Sequence, residues 1–228
     1  MSYANQFLYG IYPYVCLVVF FVGSLVRFDR EQYTWKSDSS QLLSRQQLRW
    51  GSNLFHIGVL GIFLGHLVGL LTPIDVWHAL GVSAPAKQML AIIAGGFFGL
   101  ICLVGLVMLI HRRLTVARIR ATTKPMDLVV LGLILVQLTL GLVSLSISWA
   151  HRDGTEMVKL MTWAQHIVTF RGDAASFVID VSPVFKLHLL LGMTIFLVFP
   201  FSRLVHIWSG FGSLAYLARP YQIVRSRS

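Results

Sequence analysis

Five apolar runs divide the chain, at about 7–26, 53–72, 88–110, 127–148 and 184–208. Crossing the roughly 30 Å hydrocarbon core of a bilayer as a helix takes about 20 such residues. Each run therefore predicts a membrane-spanning helix, and the polar stretches between them are too short to fold as a second domain. The reading is an all-α integral membrane protein: one membrane domain over residues 1–228, with five helices in an antiparallel bundle. The first run has no basic residues ahead of it and no small-residue cleavage site, so it is expected to be retained, with Tyr9, Tyr12 and Tyr14 at an outer interface. The longest connection, 149–183, carries Met157, Leu160, Met161, Ala164, Ile167 and Val168 at three- and four-residue steps, with Trp163 beside them. That spacing predicts an amphipathic helix over about 155–170 on the outer leaflet, either a lid over the bundle mouth or interfacial packing.

Composition sharpens this picture. Of the 228 residues 56% are hydrophobic and only 12% charged, and the mean hydropathy is +0.71. Soluble domains carry about 25% charged residues, which excludes a soluble enzyme, a nucleic-acid-binding module and a disordered chain. The 19 Lys and Arg are unevenly placed: 14 lie in segments 27–49, 111–127 and 203–228. The positive-inside rule makes that side cytoplasmic, with the N-terminus outside and the C-terminus, a basic tail over 209–228, inside. The net charge of +10 thus sits on one face, suited to anionic membrane lipid or an acidic protein partner. Cys16 and Cys102 both lie in apolar runs, and no C-x-x-C-H is present, so covalent haem attachment is excluded.

Four of the eight histidines fall inside the spans, His56 and His66 in the second and His188 and His206 in the fifth. Ionisable groups at that depth are costly and commonly functional. Antiparallel helices put His66 opposite His188 on the outer side and His56 opposite His206 on the inner side. Each couple can supply the two axial ligands of one iron, so the pattern predicts two stacked haems. The spacing is uneven. Ten residues of helix rise about 15 Å and eighteen about 27 Å, which calls for tilt, inclined haems or a kink at Pro200. A transported metal or a proton relay would bring acids into the same helices, and the second run has none.

An iron with two imidazoles has no open position and can only pass electrons. Two such centres across a bilayer make a wire, needing a lipid-soluble donor such as a quinol outside and a protein acceptor on the basic face. Lys87 begins the third helix beside the expected outer centre, where it can hydrogen-bond a quinol oxygen or a propionate, or snorkel to the interface. Arg203 precedes His206 by three residues and is a candidate propionate counter-ion or an interfacial anchor; Arg112 and Arg113 are weaker candidates. Gly61, Gly65 and Gly69 form a small-residue row for close helix approach, and Gly95, Gly96 and Gly99 offer the same in the third helix. His78, His111, His151 and His166 lie outside the spans or at their ends and read as solvated or interfacial.

The segments NLFHIGVLGIFLGHLVGLLTP, RRLTVARIRATT, MVKLMTWAQHIVTF and KLHLLLGMTIFLVFPFSRLVHIW, with the early YPY and FDREQYTW, resemble the gamma subunit of membrane-bound respiratory nitrate reductase. The resemblance spans essentially the whole chain. It implies a five-helix, di-haem cytochrome b that oxidises menaquinol or ubiquinol and anchors two cytoplasmic partners, an iron–sulfur beta subunit and a molybdenum-cofactor alpha subunit that reduces nitrate. It implies that His56 and His206 hold the inner haem b, that His66 and His188 hold the outer one, and that Lys87 belongs to the quinol site. The expected location is the bacterial cytoplasmic (inner) membrane. Three alternatives remain: a di-haem subunit of another terminal reductase, a metal transporter, and a passive scaffold for a cytoplasmic enzyme.

Overall fold

The computed structural model describes residues 2–36 and 46–217, without the side chains of residues 46, 47 and 213–217. Arg45 and the last eleven residues of the predicted basic tail lie outside the described residues. The described residues are mostly helical, joined by short turns, and contain no strand. Among the described residues, five helices are long and apolar enough to cross a membrane. They are α1 (Tyr3–Arg30), α2 (Gln46–Leu71), α3 (Ala84–Thr115), α4 (Pro125–Ala150) and α6 (Pro183–Val198). Between the last two lies α5 (Thr155–Val168), and the chain continues through α7 (His206–Leu217). Most helices overrun the apolar runs by a few residues at each end, because polar turns continue the hydrogen-bond ladder beyond the hydrocarbon.

Contacts run in the order α2–α3–α4–α6–α1, and α2 faces α6 with only sparse backbone contact. The tightest seam joins α2 to α3. A Cβ on Gly105 would lie 2.3 Å from the Phe55 backbone nitrogen, and one on Gly58 would lie 2.5 Å from that of Cys102. Only glycine allows backbones to approach so closely. This seam differs from the predicted row: Gly61 meets the Phe98 ring, whereas added Cβ atoms on Gly65 and Gly69 would meet nothing within 4 Å. In α3, Gly99 packs against Leu142 of α4 rather than against α2.

The fifth span is broken rather than kinked. A 3₁₀ turn at Phe199–Phe201 ends α6, Ser202 is extended (φ −122°, ψ 177°), and a second turn at Arg203–Val205 leads into α7. Pro200 has no N–H to donate, so the ladder stops there and carbonyls are left over. Arg27 of α1 takes them up: its Nη1 donates to the Pro200 carbonyl at 2.6 Å and to that of Ser202 at 2.8 Å. Its Nη2 donates to the Thr34 carbonyl. Arg27→Leu should therefore lower stability by roughly 2–4 kcal/mol, since each orphaned buried carbonyl costs about 1–3 kcal/mol. Thermal unfolding in detergent checks this, and Arg27→Lys should recover only part of the loss because an ammonium lacks the planar fork.

At the opposite end α5 packs onto the bundle. Met161, Trp163, Ala164 and Ile167 are buried, Trp163 Nε1 donates to the Tyr9 carbonyl, and Gln165 Nε2 donates to that of Leu70. Val168, expected on the apolar face, is exposed. Tyr9 also departs from its predicted interfacial place and is buried under α5, while Tyr12 shares a hydrogen bond with Thr194 of α6. His166 turns inward as well, against Phe177, and its Nδ1–H donates to Asp173 at 2.7 Å. That hydrogen bond holds the Asp173 carboxyl below its ordinary pKa.

Candidate functional site: two facing histidine pairs

α2 presents His56 and His66 on its exposed side, and α6 with α7 presents His188 and His206 opposite. The His66 and His188 ring centres are 6.1 Å apart, and those of His56 and His206 are 6.4 Å apart. The break after α6 resolves the uneven spacing. His206 begins a new helix, and its position is not tied to the helical register of His188.

Hydrogen bonds set three of these rings. His56 Nδ1 lies 2.7 Å from the Ser52 carbonyl, His66 Nδ1 2.8 Å from that of Ile62, and His206 Nδ1 2.6 Å from that of Arg203. A carbonyl only accepts, so each Nδ1 carries the proton and each neutral ring keeps its lone pair on Nε2. This is the tautomer a metal-binding imidazole needs. A metal–imidazole bond of about 2 Å, with about 1 Å more from nitrogen to ring centre, sets two rings on one ion about 6 Å apart. Both pairs match that separation, so the residues present would fit a metal held between two rings.

Around the first pair the surroundings suit a flat ring. Added Cβ atoms at Gly65 and Gly69 would meet only open space, and one at Gly141 of α4 would lie 3.1 Å from His188 Cε1. Lys87 does not snorkel: it is 4% exposed and points into the bundle, where Nζ donates to the Gly69 carbonyl at 2.8 Å. Its other neighbours are Met161 Sδ at 3.1 Å and the Trp77 ring at 5.3 Å. The lysine is thus fixed one helical turn from His66. Gln88 beside it is buried and clamps the end of α4 through the Ser148 and His151 carbonyls.

At the other end Arg112 is buried in the last turns of α3. Arg113, also considered for a propionate, is instead committed to Asp127 of α4 at 2.8 Å in a largely buried pair. Arg203 contributes the carbonyl that orients His206. Among the described residues no group of three or more His, Cys, Asp or Glu converges as a metal cluster; the histidines meet as pairs. Sequence reasoning did not single out Arg27 or Gln137. Gln137 contacts His188, and as a polar residue in the middle of an apolar run it carried a readable signal.

The family model described as nitrate reductase gamma subunit matches residues 5–227. The chain belongs to the nitrate reductase gamma-subunit family. It is 49% identical over 227 residues to the respiratory nitrate reductase 1 gamma chain of Escherichia coli (strain K12), with all of both chains covered. Identity to the respiratory nitrate reductase 2 gamma chain of the same organism is 50%, covering all of this chain and 99% of the other. The nitrate reductase gamma chain of Bacillus subtilis (strain 168) is 37% identical over 225 residues, covering 99% of this chain and all of that one. Membership in the gamma-subunit family makes the chain a subunit of an oxidoreductase complex that has other subunits as its partners. The five spans fit a multi-pass membrane protein.

Proposed function

We propose that this gamma subunit oxidises a quinol and conducts its electrons across the membrane through two b haems, held by His66 with His188 and by His56 with His206. One observation carries the reading: two antiparallel pairs of imidazoles stand about 6 Å apart, with the orienting carbonyls leaving Nε2 free on three of the four rings. Haem, when bound, supplies one-electron chemistry without an open coordination position.

The chain's own residues supply the rest. Lys87, buried and held near His66 by the Gly69 carbonyl, places a cationic donor where a quinol oxygen docks and favours the loss of its proton. Met157 and Met161 of α5 close over that lysine and exclude water. With the 14 cations on the cytoplasmic side, α5 and Lys87 face outward. Protons then leave outside while electrons travel inward, storing ~2.3 kcal/mol per charge per 100 mV. Arg112 and Arg203 lie on the inner side as propionate counter-ions. The basic face takes the electron-accepting iron–sulfur beta subunit, which relays electrons to a molybdenum-cofactor alpha subunit that reduces nitrate in the bacterial inner membrane. The quinol is menaquinol or ubiquinol.

A dithionite-reduced minus oxidised spectrum of the purified chain, with haem quantified as the pyridine haemochrome, tests this. Two low-spin b haems per chain are expected. A folded chain without haem overturns the reading and favours a scaffold or a metal transporter.

A further inference from the structure

His188 differs from the other three pair histidines. It has no carbonyl of its own helix on Nδ1, and that atom is buried without a partner. Its ring contact is a side chain of another helix: Gln137 of α4 places Nε2 at 3.3 Å from His188 Nε2. The Gln137 carboxamide oxygen is itself buried without a partner. Two unpaired polar atoms thus belong to two side chains already in contact, and burial makes leaving both unpaired costly.

Packing holds both groups. A Cβ on Gly192 of α6 would lie 3.2 Å from Gln137 Nε2, and one on Gly141 would lie 3.1 Å from His188 Cε1. The amide and the imidazole are wedged together between glycines of neighbouring helices. As they stand, the amide nitrogen faces His188 Nε2. A half-turn of the amide exchanges its oxygen and nitrogen, and a half-turn of the imidazole carries Nδ1 to the place of Cδ2, next to the ring atom that faces Gln137, without demanding new space.

We propose that Gln137 is the positioning residue of the outer haem centre: its carboxamide oxygen accepts the Nδ1–H of His188, fixing the tautomer and leaving Nε2 for the iron. This inference rests on the bis-histidine reading given above. It assigns to a side chain of α4 the task that main-chain carbonyls perform for His56, His66 and His206. An acceptor on Nδ1–H makes the imidazole a stronger electron donor, which favours the ferric over the ferrous iron. Because the acceptor is a side chain here, a point substitution can remove it, which is not possible at the other three histidines.

The test is a potentiometric titration of the membrane-bound complex, followed in the visible spectrum for each centre, on wild type, Gln137→Leu and Gln137→Glu. In Gln137→Leu the ratio of reduced to oxidised outer haem at a fixed poise should rise about tenfold, the scale of one net hydrogen bond. The inner centre should not move. Gln137→Glu keeps a carbonyl acceptor and should stay at or below the wild-type ratio. If Gln137→Leu loses the outer haem altogether, Gln137→Glu decides: retention at or below the wild-type ratio supports the proposal, and a ratio above wild type overturns it. An unmoved outer centre in Gln137→Leu, equal shifts in both centres, or a rise in both variants also overturns it while two haems per chain leave the underlying reading standing. A wild-type chain lacking two haems removes both.

Discussion

If the two histidine pairs hold b haems as proposed, replacing His66 by Ala should remove one of the two and leave the other. The His56 and His206 rings meet at the far end of the bundle, three turns of α2 away, and share no ligand with the His66 pair. Quinol-dependent electron flow should fall by at least about a hundredfold, the scale on which loss of a metal's supporting shell already acts. Losing the ligand itself is more severe. His206→Ala should produce the complementary spectrum: the outer haem stays, and quinol reduces it without passing electrons on. Haem content with quinol-dependent turnover checks both variants. Loss of both haems in each single variant would mean that the centres are not independently held.

The second large effect is steric. Gly105→Val should abolish the α2–α3 seam, because its first carbon alone would sit 2.3 Å from the Phe55 nitrogen and 2.8 Å from the Gly51 carbonyl oxygen. Those are backbone atoms inside helices and cannot swing aside as a side-chain tip can. Overpacking a core typically costs 1–3 kcal/mol, and separating two helix backbones should exceed about 3 kcal/mol. Gly132→Ala, whose new methyl would meet nothing within 4 Å, should be neutral or slightly stabilising. Size-exclusion profiles and melting temperatures in detergent distinguish the two: Gly105→Val should aggregate or melt early, and Gly132→Ala should not. A well-folded Gly105→Val would mean that the helices can separate at little cost.

The spans were legible in the sequence because hydrocarbon thickness imposes a length that composition alone reveals. The facing of His66 with His188 and of His56 with His206 was legible because antiparallel helices fix which ends meet. What the sequence did not disclose depends on neighbours far along the chain. Pro200 announced a disturbance, but a complete break needed Arg27, 173 residues earlier, to take the freed carbonyls. Gly61, Gly65 and Gly69 look alike in a row, yet only Gly61 of the three faces a neighbour closely. Lys87 reads as interfacial from its loop and turns inward because the Gly69 carbonyl and the α5 methionines receive it. Tyr9, aromatic and near a span end, matches an interfacial belt until α5 is laid over it.

The placement of the histidines on α2 and on the last span bears on how the protein is made. The α2–α3 hairpin is adjacent in sequence and joined by its glycine seam, so it can assemble as soon as both segments have left the ribosome. His56 and His66 then wait through one more membrane segment, α4, and through α5 for partners. Both pairs close only when the final span arrives, and α1 must already be in place to brace its broken end through Arg27. On the proposed haem reading, cofactor loading would then be confined to the end of synthesis, and a chain truncated before residue 183 should enter the membrane without ever completing either pair.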